Sequence, residues 1–434
     1  MGWVETSRTS AWRELLASSQ YRWYYASTIA TVVGDALASV SLTLYLFALT
    51  GSPFSLALSI SLTAIPWILV NPVAGVLADR FSRGALVCAF HIVTALGLAS
   101  LVAGGGTGHA LAVCFLAGVA AAGSAPARGA LLPRILQPHQ WSRAFSLNLL
   151  AAQGGRMVGA GLAGMVVRVW GAPWAFALAA ATSLAAGLMM LRVKAGAGAE
   201  HGVRRTARGA DLLADLGRGF AWLFRFPPTR TLVILYSLAL LAETLPELNT
   251  VVYLDRVLGL PTELAGTLVG AISLGALAGA LWAVSLESRT ARGLPFIAGT
   301  LVVGASLAPV AARPGLPATM ALWATHGIGL GLMEVAGNTL LAELVPDNWR
   351  GRVYSAINTT CTTFMLGWAL ALGRITESVD VQAVFACGGL VSCLGVGLAC
   401  ALGGAENLKR AGHGGGPQPP TWSMPPRPTT ASPS

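Results

Sequence analysis

Five ionisable residues, Asp35, Arg156, Glu243, Glu247 and Glu334, stand inside long apolar runs of this sequence. An ionisable side chain at the centre of a bilayer costs roughly 2.5–3.5 kcal/mol on insertion scales, so such residues are kept where they do chemistry. Two chemistries are open to them. A carboxylate in a secluded cavity can take up and release a proton, which suits proton coupling. A carboxylate held against an arginine stays ionised and acts as a structural pair. Counting inward about twelve residues, or roughly 18 Å at the helical rise, puts Asp35, Arg156 and Glu243 near a membrane midplane. Glu247 follows Glu243 by one turn on the same face, and Glu334 lies in a later span.

Other chemistry finds no footing. There is no His-Glu-x-x-His helix, no Gly-x-x-x-x-Gly-Lys phosphate loop and no nucleophile elbow, so the sequence does not read as an enzyme and implies no cofactor. His91 and His326 stand singly in apolar runs and read as packing or hydrogen-bonded residues rather than ligands. The cysteines at 88, 114, 361, 387, 393 and 400 form no Cys-x-x-Cys pair, so neither a disulfide framework nor a metal site is expected.

The elements that must position the five charges follow from composition. Of 434 residues 54% are hydrophobic and 11% charged, against roughly 25% charged in a soluble domain. Apolar blocks of about 20 residues, the length needed to cross a hydrocarbon core, fall at 23–49, 54–78, 84–103, 109–132, 144–168, 172–191, 231–254, 263–286, 294–312, 317–344, 352–373 and 381–403. The first block has neither the short apolar core nor the cleavage site of a signal peptide and is read as a retained span. Twelve transmembrane helices of an all-α, multi-pass membrane protein are predicted.

The net charge of +10 would point to nucleic acid in a soluble chain, but here basic residues gather in short loops beside the spans, a topology signal. With residues 1–22 placed inside, the cytoplasmic segments hold 22 of the 28 basic residues. Outer loops hold Arg168, Arg256, Arg313 and Arg374, while Arg128 and Arg156 lie within spans. One span missed or invented would reverse every later loop, so both termini are expected to be cytoplasmic. Only Lys194 and Lys409 are lysines, which with the abundant Ala and Gly fits a GC-rich bacterial genome. Arg128, near the end of its span, reads as a tether that snorkels to the interface.

Five regions are predicted: a cytoplasmic segment 1–22, a six-helix bundle 23–192, a cytoplasmic linker 193–230, a second six-helix bundle 231–404 and a disordered tail 405–434. Within the linker, Leu212, Leu216, Phe220 and Leu223 recur at helical spacing, predicting an amphipathic helix over 211–226 that lies along the inner leaflet. The tail, with GGGPQPP and MPPRP, is too rich in Gly and Pro to pack.

The two bundles are related by a shift of 208 positions, which places Asp35 on Glu243, Tyr45-Leu46 on Tyr253-Leu254, Gly51-x-Pro53 on Gly259-x-Pro261 and Trp141 on Trp349. Six spans per half keep both halves in the same orientation, a parallel repeat about an axis along the membrane normal. The cavity is then expected between the halves.

After the second span, Gly75-Val-Leu-Ala-Asp79-Arg80-Phe-Ser-Arg83-Gly84 resembles the loop signature of the major facilitator superfamily, departing from it only at Ser82. Gly34-Asp35, Pro126-Ala-Arg-Gly-Ala-Leu-Leu-Pro133 and Arg350-Gly-Arg352 further resemble the bacterial drug-efflux branch that includes macrolide and siderophore exporters. The resemblance implies a cytoplasmic gate in which Gly75 permits close helix approach while Asp79, Arg80 and Arg83 supply breakable charge contacts. It makes spans 1 and 5 neighbours, so Arg156 is expected to pair with Asp35, leaving Glu243 or Glu334 as proton carrier. Gly155, Gly159, Gly161 and Gly164 of span five resemble the family's antiporter motif without its proline, and with Gly266, Gly270, Gly275 and Gly279 are expected at the interface between halves. Trp67, Trp323, Phe364, Met365 and Trp368 are candidates for an aromatic cavity wall.

These readings converge on a monomeric secondary transporter of the plasma membrane. Driven by the proton gradient, it would export a hydrophobic or amphipathic small molecule by antiport and alternating access. Two rivals are an uptake carrier on the same fold and a non-transporting scaffold or sensor; retention of Asp79 and of the midplane charges argues against the latter.

Overall fold

The computed structural model describes residues 15–70, 74, 77, 81–193, 209–286, 293–345 and 349–404. Among these, twelve long helices run back and forth: α1 Ser19–Thr50, α2 Pro53–Leu69, α3 Arg83–Ser100, α4 Thr107–Gly129, α5 Trp141–Trp170 and α6 Ala172–Leu191 in the first half. An intervening helix, α7 Gly209–Arg225, leads to α8 Pro227–Tyr253, α9 Ala265–Leu286, α10 Gly293–Ala305, α11 Leu316–Leu344, α12 Arg350–Ser378 and α13 Val381–Ala399. Eight of the spans are both long and strongly apolar. The described part of α2 is shorter, and α5, α11 and α12 carry more polar residues along their length. Six crossings, an even number, run from α1 to α6 and again from α8 to α13, so both ends of each half lie on one face, called here the terminal face; the opposite one is the distal face.

Local chemistry sets the ends. Ser18 caps α1 by accepting the Tyr21 backbone N–H, and Gly51 closes it in a left-handed conformation (φ 60°). Pro53 then opens α2 at a position where the missing N–H costs nothing. At the equivalent corner, α8 ends in a π turn over Leu254–Leu258 and Gly259 takes the same left-handed conformation (φ 59°). Both glycines are needed because an L side chain rarely adopts that φ.

The repeat persists in side-chain detail. The Tyr45 hydroxyl donates to the Gly105 carbonyl at 2.6 Å, and the Tyr253 hydroxyl to the Pro314 carbonyl at 3.5 Å. Tyr45 meets Phe176 edge-on (5.4 Å, 88°), and Tyr253 meets Phe385 edge-on (5.9 Å, 87°). Each tyrosine thus ties the distal end of a half's first helix to its fourth-helix loop and its last helix.

The core is shared at one end and divided at the other. Near the distal face one apolar cluster joins residues of both halves, from Leu37, Leu46 and Leu56 to Leu248, Tyr253 and Leu268. Towards the terminal face the first half keeps its own cluster around Tyr21, Tyr24 and Leu132, and the second half keeps two more.

The linker helix forms, and the described part of its apolar face packs on the second half. Trp222, Leu223 and Phe226 are buried against Val233, Val345, Val353 and Ala356 of the second half. A Cβ on Gly219 would collide with the Arg352 carbonyl, so α7 lies directly on the start of α12. Small residues, Gly219 and Ala356, let the two helices close on each other.

Candidate functional site

Four of the five midspan charges, Arg156, Glu243, Glu247 and Glu334, act on one another across the two halves. Asp35, Arg156, Glu247 and Glu334 are exposed and Glu243 is half-buried, although each lies partway along a bundle helix. Asp35, Glu243 and Glu247 are nevertheless surrounded by the body of the protein, so the space they face is internal. Arg156 of α5 acts electrostatically on Glu243 and Glu247 of α8, and Glu334 of α11 acts on Glu243. A cation on the first half therefore confronts carboxylates on the second.

The expected pairing of Arg156 with Asp35 is not what the structure contains; the cation acting on Asp35 is Arg128 of α4. The reason lies in helix phase. α5 packs on α1 through Gly155 and Gly159, against Val32, Val33 and Ala36. Arg156, one residue on from Gly155, is rotated about 100° away from that contact and points elsewhere. Arg128 is correspondingly more than a tether at a helix end.

The four glycines of α5 divide by the same phase. Gly155 and Gly159 let α1 approach within the first half, whereas Gly164 meets Glu263 and Gly266 across the halves. Gly161 faces open space and takes no part in an interface. In α9, Gly266 and Gly270 face Ala160 and Met157 of α5, but Gly275 and Gly279 back onto Ala324 and Ile328 of α11 within the second half. Only half of that glycine row serves the seam.

The opening on the second half is lined by a mixture of tyrosine, amide and aliphatic side chains. A cavity of about 450 Å³ is bounded by Tyr236, Asn338, Leu341, Tyr354, Ser355, Ile357, Asn358 and Cys361. Trp323 is fully buried elsewhere, stacked on Tyr253 and edge-on to Phe385, with its indole N–H donating to Thr250 Oγ1 at 3.1 Å. Trp368 donates its indole N–H to the Ser237 carbonyl at 3.2 Å and so pins α12 to α8. Trp67 and Met365 are half-buried, and Phe364 is exposed. Tyr236, Asn338, Tyr354 and Asn358 escaped the sequence reading. The spacing of Tyr354, Ser355, Asn358 and Cys361, one polar stripe along α12, was the available signal.

At the distal face the halves are held by polar contacts. Ser52 donates to Glu377 Oε1 at 2.8 Å, and Arg374 pairs with Glu377 Oε2 at 2.8 Å. Arg374 also lies 4.9 Å from the Phe54 ring centroid, and Arg256 donates to the Gly51 carbonyl at 2.9 Å. Gly75, Asp79 and Arg80 of the loop signature lie outside the described residues. Its remaining arginine, Arg83, donates to the Ala130 carbonyl at 3.2 Å. Among the described residues no group of His, Cys, Asp and Glu is arranged to hold a metal ion.

The sequence profile of the Major Facilitator Superfamily matches residues 24–372, the greater part of the chain. The chain belongs to that superfamily. The multidrug efflux pump Tap of Mycobacterium tuberculosis is 27% identical over 379 residues, covering 83% of this chain and 87% of Tap. An uncharacterized MFS-type transporter of Bacillus subtilis, YfiS, is 24% identical over 379 residues, covering 86% of this chain and 90% of its own. Among solved structures, the nucleoside transporter NupG superposes with a TM-score of 0.71 at 14% identity, covering 88% of this chain and 99% of NupG. A POT family transporter in complex with a thioalcohol-conjugated peptide gives 0.71 at 13% identity, over 88% of this chain and 95% of that one. At such identities the structures establish the major facilitator fold, two parallel six-helix bundles in a multi-pass membrane protein. Members of this superfamily are transporters.

Proposed function

We propose that this facilitator exports an amphipathic small molecule from a bacterial cell by proton antiport, with the two halves exposing the central cavity to each side in turn. The observation that carries the reading is the confrontation of Arg156 on one half with Glu243 and Glu247 on the other, with Glu334 beside them, around an internal space. Charges that face each other across a moving interface change surroundings whenever the halves rock, which is what coupling a proton to transport requires.

The basic residues assign the terminal face to the cytoplasm. On that assignment the shared distal core and the separate terminal cores describe an inward-open carrier. The 450 Å³ cavity is then reached from the cytoplasm, as an exporter's loading site should be. Its Tyr and Asn lining favours a substrate that offers hydrogen-bonding groups along with apolar surface. Likeness to Tap, named a multidrug efflux pump, supports the export direction.

Everted membrane vesicles energised with a proton gradient and screened against amphipathic dyes and antibiotics test the reading. Gradient-dependent uptake into the vesicles is expected, abolished by Asp79→Asn and strongly reduced by Glu243→Gln with Glu334→Gln. Undiminished transport in that double variant would refute the coupling assignment.

A further inference from the structure

The second half is charged with one sign through the middle of its cavity-side helices. α8, α11 and α12 hold Glu243, Glu247 and Glu334, and no basic residue occurs between Arg230 and Arg256, between Arg313 and Arg350, or between Arg352 and Arg374. α9 and α10, which pack on α11, contain no ionisable residue. Across the cavity Arg156 acts on Glu243 and Glu247, while Arg128 is opposed by Asp35 of its own half. Three carboxylates thus face a single guanidinium. Among the described residues, neither a hydrogen bond nor an ion pair engages Glu334.

Glu334 borders the 450 Å³ cavity. Asn338, one turn further along α11 and on the same face, lines that cavity, and both residues are exposed. Just before Asn338, a Cβ added to Gly337 would collide with the Tyr236 hydroxyl, so the Tyr236 side chain reaches from α8 across to α11 within one turn of the carboxylate. The Phe296 ring packs against it with centroids 5.0 Å apart. Glu334, Glu243 and Tyr354 of α12 all act on Tyr236, and Asn358, one turn after Tyr354, lines the same cavity. Two phenol rings and two amides therefore stand around one space with Glu334 at its edge.

That set of groups selects for charge. A cation is attracted to the face of an aromatic ring, to amide and phenol oxygens and to a carboxylate. An anion would meet three carboxylates with one guanidinium to offset them, a repulsion that excludes it. A neutral molecule would fill the volume but leave Glu334 without a counter-charge. A proton needs the carboxylate alone, whereas the rings and amides beside it suit a larger cation.

We propose that the cavity takes an organic cation, an amphipathic molecule whose ammonium or similar centre sits at Glu334 beside Tyr236 and Tyr354. Asn338 and Asn358 bond its polar substituents, and Leu341 and Ile357 meet its apolar part. Proton and cation then alternate at one carboxylate, each leaving as the other arrives. That this ligand is the transported cargo rests on the antiport reading; the preference for positive charge rests on the cavity.

Binding in the absence of a gradient tests the preference. The full chain in nanodiscs of zwitterionic lipid is titrated with a fluorescent dansyl amide carrying a trimethylammonium tail, and with an uncharged twin in which carbon replaces the quaternary nitrogen. Empty nanodiscs give the lipid background. The charged twin is expected to bind about tenfold more tightly. Glu334→Gln should bring the twins within about threefold of each other by weakening the charged one alone, and Glu334→Asp should keep the preference. Arg156→Gln, which removes the opposing cation, should tighten the charged twin about threefold and leave the neutral one in place. Equal binding of the twins by the parent chain, or a preference that survives Glu334→Gln, overturns the proposal. If Glu334→Gln binds neither twin, the Arg156→Gln variant decides, and the lack of any gain there overturns it as well. Gradient-driven export confined to neutral amphipaths would overturn the cation assignment and leave antiport standing. Charge preference in a chain without gradient-driven transport would support the site and count against antiport.

Discussion

Ser52, at the start of α2, donates a 2.8 Å hydrogen bond to Glu377, at the end of α12, joining the two halves at the distal face across 325 positions of sequence. The same carboxylate is held by Arg374, whose guanidinium also covers Phe54. These contacts bridge the halves across the closed distal face, so removing them is expected to favour the open form. Exposed contacts of this kind are individually weak. Glu377→Ala is therefore expected to raise the distal-open population roughly two- to five-fold rather than to trap it. Spin labels on the distal ends of α2 and α12, with distances measured by pulsed electron resonance, read that population.

The same contact sets a pH dependence. The Ser52 hydrogen bond, followed by the Arg374 contact, holds the Glu377 carboxyl below the usual carboxylate range. A depressed value in the closed form means that closure is favoured at every pH above the ordinary range, near about 4.3, and loses this support only as the pH falls through the lower, closed-form value. The latch should therefore hold throughout the neutral range, and Ser52→Ala should move its release towards ordinary carboxylate pH. The same distance measurement, made against external pH, checks both statements.

Stability and recognition should separate cleanly between two sets of aromatic and polar residues. Trp323 is fully buried against Tyr253 and Phe385, so Trp323→Ala should cost about 3–5 kcal/mol and lower the melting temperature in detergent without changing which molecules are transported. Asn338→Ala and Asn358→Ala, on the cavity wall, should leave the melting temperature nearly unchanged and shift the substrate profile. Loss of transport selectivity in Trp323→Ala at unchanged stability would contradict this division.

Tyr45 and Tyr253 offer a comparison inside one molecule. Tyr45 donates to the Gly105 carbonyl at 2.6 Å and accepts the Gly105 N–H at 3.1 Å, whereas Tyr253 reaches the Pro314 carbonyl only at 3.5 Å, with the Thr319 side chain as its other partner. Tyr45→Phe should cost about 1 kcal/mol, and Tyr253→Phe distinctly less, read as the difference in unfolding midpoint between the two variants.

These comparisons mark how far the sequence is legible. Span positions, the parallel repeat and the superfamily could be read because apolar length, basic loops and the 208-residue offset are carried by many residues at once. Whether Arg156 meets Asp35 or Glu243 depends on a rotation of about 100° between neighbouring positions on a helix, which composition does not record. Trp323 was misassigned for a related reason: a large aromatic in an apolar span looks the same in sequence whether it faces a cavity or the core. His91 reads in the sequence as a packed or hydrogen-bonded residue, but its partners, Thr31 and Ser183, lie 60 and 92 positions away in the chain, where no local pattern marks them.

The seam between α5 and α9 gives the sharpest test of how the halves close. Added as alanine, the side chain of Gly164 would run into the Glu263 carbonyl, and that of Gly266 into the Ala160 carbonyl, each a backbone atom of the other half. A flexible side chain could move aside, but a backbone carbonyl cannot do so without displacing its helix. Gly164→Ala and Gly266→Ala should therefore push the halves apart at the distal face, whereas Gly161→Ala, with nothing within 4 Å of the added carbon, should be silent. Cysteine accessibility at the distal ends of α5 and α9 is expected to rise in the first two variants and to stay at the parent level in the third. Equal behaviour of all three would mean that this seam does not govern closure.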